Sequence, residues 1–116
     1  MKYLIIIVVL VAAVLVFQNF ANSKNIENKN VIKSKIDSGA LIVDVRTPME
    51  FSAGHYPRAI NIPVDQIGAR SSELGSKDRN IILYCQSGNR SGHAKRILES
   101  QGFKNVYNAG VLRDMP

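Results

Sequence analysis

The chain has a single cysteine, Cys85. One thiol cannot close an internal disulfide, which excludes a small secreted scaffold held together by cystine bridges. No Cys/His spacing suited to zinc occurs, and no basic stripe interleaved with aromatics, although fifteen Lys and Arg stand against nine Asp and Glu for a net charge of +6. Nucleic acid is therefore not an expected partner. The loose group Lys24, Lys29, Lys33 and Lys35 reads as a solvated linker region, and the basic excess leaves room for a small anionic ligand. Internal repeats and low-complexity tracts are also missing, so one small domain with one core is expected.

What is there begins with an unbroken apolar run from Tyr3 to Phe17 behind Lys2. Counted through residue 21 it approaches the length of a membrane span, about twenty residues. It also resembles the apolar region of an export signal, with Ala21-Asn22-Ser23 as a substitute cleavage site. The expected organisation is a hydrophobic anchor or signal over residues 1–21, a polar linker over 22–30 and a folded domain over 31–116. Residues 3–21 would hold the domain to the inner membrane on its extracytoplasmic side.

Within the domain, short apolar clusters alternate between two periods. Residues 31–38 have near-helical spacing, with Gly39 placed to end the helix. Residues 40–45 form a β-branched apolar run suited to a strand buried on both faces. A helical turn is expected over 49–53, a second strand over 59–62, and weak helix over 64–74. Ile81-Ile82-Leu83-Tyr84 is the clearest strand and residues 91–101 the clearest helix, stopped by Gly102. Val106-Tyr107 would be the last strand. This alternation predicts an α/β fold with a mostly parallel sheet flanked by helices on both faces.

Ligands of such sheets bind beyond the carboxyl ends of the strands. Cys85 lies there, and Cys85-Gln86-Ser87-Gly88-Asn89-Arg90-Ser91 joins the best strand to the best helix. A helix start has backbone N–H groups without intrahelical partners, and Gly88 with its small neighbours allows the loop to curl them inward as an anion-binding nest. Converging amides, the helix terminus and Arg90 would all favour thiolate over thiol. Cys85 is thus the candidate nucleophile. Gln86, Ser87, Gly88, Asn89, Arg90 and Ser91 are candidates for substrate binding. Arg46 and Arg58 are candidates for the site mouth, each with an equal claim to a structural pairing. Asp44 reads as a structural hydrogen-bonding or ion-pairing partner, His55 as part of a turn and His93 as solvent-facing.

Cys85-x-x-Gly88-x-Arg90-Ser91 resembles the active-site loop of rhodanese-type sulfurtransferases. Asp44-Val45-Arg46 with Glu50-Phe51, the stretch from Gly54-His55-Tyr56-Pro57 to Asn61-Ile62-Pro63, and Asn108-Ala109-Gly110 with Asp114 resemble three further motifs of that family, in the same order. Gly110-Val111 departs from the usual glycine pair. The resemblance implies a rhodanese-like fold and a persulfide mechanism. Cys85 would take sulfane sulfur from thiosulfate or a related anionic donor and pass it to a thiophilic acceptor, with no metal or organic cofactor and as a monomer. A phosphatase or arsenate reductase on the same fold has a loop one residue longer than the four residues between Cys85 and Arg90. A persulfide carrier or interaction module for a membrane-side partner is the alternative, because it needs the same loop.

Overall fold

The computed structural model describes residues 2–21 and 26–116, with side chains omitted from 15 to 21. The elements are α1 (Lys2–Ala21), α2 (Lys29–Asp37), β1 (Leu41–Asp44), α3 (Pro48–Ala53), β2 (Ile60–Asn61), β3 (Ile81–Cys85), α4 (Asn89–Ser100) and β4 (Val106–Val111). Single 3₁₀ turns cover Ser71–Leu74 and Leu112–Asp114.

The sheet has the order β2-β1-β3-β4, and its strand pairs are parallel. β3 lies inside the sheet and is buried at every residue. Its side chains alternate between two cores. Ile81, Leu83 and Cys85 point to the layer containing Ala94 and Leu98 of α4 together with Ile67, Leu74 and Phe103. Ile82 and Tyr84 point to the layer containing Ile32 and Ile36 of α2, Phe51 of α3 and Met115. A strand covered on both faces has no polar side to show, which is why 81–85 reads as continuous apolar sequence. The same alternation turns the Cys85 side chain toward α4.

Several expected elements change length. α2 begins at Lys29 because Asn28 caps it, accepting from the Asn30 amide at 2.8 Å. The helix expected over 64–74 reduces to the turn Ser71–Leu74; Gly68 interrupts a stretch with few apolar positions. β4 continues past Tyr107 to Val111, carrying Asn108, Ala109 and Gly110 into the sheet with a register shift opposite Leu83 and Tyr84. Residues 22–25 of the expected linker lie outside the described residues, as do two residues of the substitute cleavage site. Ile26 and Glu27 pack on the domain: the Glu27 amide donates to the Asn108 carbonyl at 2.8 Å, and its carboxylate meets Lys95 at 2.8 Å.

The membrane expectation is corrected. Among the described residues no helix is long and apolar enough to cross a membrane. The anchor over 3–21, the membrane as a partner and the extracytoplasmic placement drawn from it fall with that finding.

Candidate active site

β3 delivers Cys85 to the carboxyl edge of the sheet, and α4 starts four residues later. Gly88 is the N-cap of α4, at φ +89° and ψ −9°. This left-handed conformation is open to glycine at little cost, and it turns the Gly88 amide back onto the thiol. The amide donates to Cys85 Sγ at 2.9 Å, and Ser91 Oγ lies 3.4 Å from the same sulfur. Gln86, Ser87 and Asn89 are exposed, Arg90 is half-buried, and Cys85, Gly88 and Ser91 are buried. Burial by itself pushes the Cys85 thiol up. The Ser91 hydroxyl and the amides of Ser91, Ser87 and Gly88 outweigh it and hold the thiol below its ordinary value.

Arg90, expected to hold an anion, spends its fork elsewhere. Nη1 donates to Glu50 Oε1 at 2.7 Å and Nη2 to Glu50 Oε2 at 2.9 Å. Glu50 is presented by a capping box at the start of α3: its amide donates to Thr47 Oγ1, and its carboxylate accepts from the Thr47 amide. The Arg90 guanidinium, followed by the Thr47 amide, holds the Glu50 carboxyl down at about 2.

Arg46 does not reach the mouth either. Its side chain is buried against Asp44, with Nε 3.0 Å from both carboxylate oxygens and Nη2 2.6 Å from Oδ2. Nη2 also donates to the Gly54 carbonyl at 2.6 Å. The pair therefore ties the end of β1 to the end of α3. Arg58 sits at the other end of the sheet, lining a cavity of about 240 Å³ with Ile36, Leu41 and Arg79. His55 stacks on Phe51 with ring centroids 3.7 Å apart and bonds to the Phe51 carbonyl, which makes it part of the turn. His93 is exposed.

Three groups at the site were not among the sequence candidates. Asn108, fully buried on β4, has Oδ1 2.7 Å from Ser91 Oγ and Nδ2 3.2 Å from the Gly88 carbonyl. Glu50 is the partner of Arg90; the spacing Thr47-x-x-Glu50 marked it as a capping residue but not as a residue of the site. Ile26 lies on the loop, where a Cβ at Gly88 or at Gly110 would come within 3.0 Å of its Cδ1. Nothing in the local sequence around Ile26 signals that contact.

A thiol held ready for ionisation by amides, where a parallel strand passes into a helix, defines a cysteine-dependent group-transfer site. The comparisons with known proteins give the family. A model of the rhodanese-like domain matches residues 24–109. The chain is 38% identical over 74 residues to the thiosulfate sulfurtransferase PspE of Escherichia coli strain K12, covering 63% of this chain and 71% of that protein. It is 44% identical over 68 residues to a sulfurtransferase of Allochromatium vinosum, covering 59% of this chain and 63% of that protein. Among solved structures, an E. coli rhodanese with anions superposes with a TM-score of 0.63 at 37% identity, over 67% of this chain and 95% of the other. The chain belongs to the rhodanese-like domain family. It is a sulfurtransferase, and Cys85 is the cysteine suited to carry sulfur as a persulfide.

Proposed function

We propose that the protein transfers sulfane sulfur from thiosulfate to a thiophilic acceptor, with cyanide serving as acceptor in the assay. The Cys85 thiolate attacks the outer sulfur of thiosulfate, the sulfur–sulfur bond of the donor breaks, and sulfite leaves with its electron pair. The resulting Cys85 persulfide then gives its outer sulfur to cyanide, releasing thiocyanate and restoring the thiolate. Both halves balance without an oxidant or reductant.

The observation that carries this reading is the Gly88 amide donating to Sγ at 2.9 Å, with Ser91 on the same sulfur. The same donors suit a persulfide anion, because its charge lies within their reach. Cys85 is wholly buried, so the donor gains access when the exposed Gln86, Ser87 and Asn89 rim shifts off the sulfur. In this reading these residues meet the sulfonate end of thiosulfate. Arg90 contributes its positive charge from the Glu50 pair rather than a two-pronged contact.

Intact mass spectrometry before and after thiosulfate tests the loading step. A gain of about 32 Da, the mass of one sulfur in a persulfide, is expected at Cys85 and is absent from Cys85→Ser. Thiocyanate release with cyanide tests the second half. Loading without release would identify a carrier, and retention of full activity by Cys85→Ser would reject the assignment.

A further inference from the structure

Ser91 has one hydroxyl proton and two groups placed to receive it. Oγ is 2.7 Å from Asn108 Oδ1 and 3.4 Å from Cys85 Sγ. The orientation of the Asn108 amide is set by its other contacts. The Gly110 amide, which can only donate, lies 2.9 Å from Oδ1, and the Gly88 carbonyl, which can only accept, lies 3.2 Å from Nδ2. The atom facing Ser91 is therefore an acceptor.

While Cys85 is a thiol, Ser91 donates to Asn108 and its oxygen accepts from the S–H group. Once Cys85 loses its proton the sulfur can only accept, and Ser91 can help it only by turning its hydroxyl away from Asn108. Asn108 Oδ1 keeps the Gly110 N–H when that happens, so the exchange leaves no buried amide group empty. We propose that Asn108 is a positioning residue that sets the balance between thiol and thiolate at Cys85 by competing with the sulfur for the Ser91 proton. The proposal rests on Cys85 being the nucleophile.

The charged groups near the sulfur are held in pairs: Arg90 of α4 with Glu50 of α3, Asp44 with Arg46 at the end of β1, and Lys95 with Glu27. On β4 the ionisable side chain is Tyr107, which packs in the opposite layer with Ile32 and Met115. These charges remain the same when Asn108 is changed to leucine, whereas aspartate adds one.

The test is the pH dependence of iodoacetamide alkylation, which reports on Cys85 alone because the chain has one cysteine. Five variants enter: Asn108→Leu, Asn108→Asp, Ser91→Ala, Ser91→Ala with Asn108→Leu, and Ser91→Ala with Asn108→Asp. Removing the competitor in Asn108→Leu lowers the Cys85 titration by about half a unit, or about threefold more thiolate below its midpoint. Asn108→Asp, a stronger acceptor that also adds a negative charge, raises the midpoint more with Ser91 present than in the Ser91→Ala background, and this difference serves if Asn108→Leu does not fold. In the Ser91→Ala background the leucine shift vanishes. An upward or unchanged midpoint in Asn108→Leu, or an equal shift with and without Ser91, overturns the proposal. If only the Asn108→Asp variants fold, a rise of equal size with and without Ser91 overturns it. Alkylation needs no sulfur donor, so a failure here is distinct from failure of thiosulfate to load Cys85.

Discussion

Arg90 and Glu50 meet fork to fork, at 2.7 and 2.9 Å, across the gap between α4 and α3. The contact joins the helix that begins at the cysteine loop to the helix that follows β1. It also places a positive charge near the sulfur, with one N–H of each terminal nitrogen engaged by Glu50.

Glu50→Gln should flatten the acid side of the stability profile. The folded carboxyl sits at about 2, below its usual value near 4.3. The stabilisation is therefore complete above the unfolded value and is lost as pH falls from there toward 2. At neutral pH the loss is small, about 1 kcal/mol or less, because both side chains are about one-third exposed. Urea unfolding at pH 7, 4 and 2.5 reads it; equal acid sensitivity in both proteins would contradict the pairing.

Arg46→Ala should cost far more, about 3–5 kcal/mol, since it leaves the fully buried Asp44 carboxylate without its counter-charge. Chemical denaturation at neutral pH measures it. A loss below about 1 kcal/mol would contradict the dependence of Asp44 on the Arg46 counter-charge.

Gly88→Ala tests the loop geometry. A side chain at φ +89° costs about 1–2 kcal/mol, and its Cβ would press on Ile26 Cδ1 at 3.0 Å. Thermal unfolding should show a lower midpoint. Ile26→Ala in the same chain should recover only part of it, because space is restored and backbone strain is not. Complete recovery would place the cost in the Ile26 contact alone.

Tyr84 should leave an alkaline signature. Burial pushes its phenol up to about 12, in spite of the Tyr56 amide that donates to its oxygen at 2.9 Å. The unfolded phenol ionises near 10, so stability declines as pH rises from about 10 toward 12. Tyr84→Phe removes that decline and loses about 1–3 kcal/mol at neutral pH by leaving the Tyr56 amide without its acceptor. Unfolding at pH 7, 10 and 11.5 checks both effects.

The parts legible in the sequence were those encoded by neighbours along the chain. The run 81–84 marked the clearest strand, the run 40–45 a strand buried on both faces, and Gly88 the curl of the loop that aims an amide at the sulfur. Contacts between distant residues left less trace. Arg90 looked free to hold an anion because its partner is forty positions away, and Arg46 and Arg58 looked alike although one is sealed against Asp44 and the other lies at the far end of the sheet. The apolar start of α1 read as a membrane anchor, whereas among the described residues no helix meets the length and apolarity required.

The sequence by itself determined the alternating α/β order, the lone nucleophile and the loop that surrounds it, because hydrophobic period, glycine conformation and helix starts are local properties of a chain. Only the tertiary structure decided which charges are spent on one another and which buried amide faces Ser91. Those outcomes depend on side chains from β1, α3, α4 and β4 meeting in space, where hydrogen bonds select partners by distance and direction rather than by position in the chain.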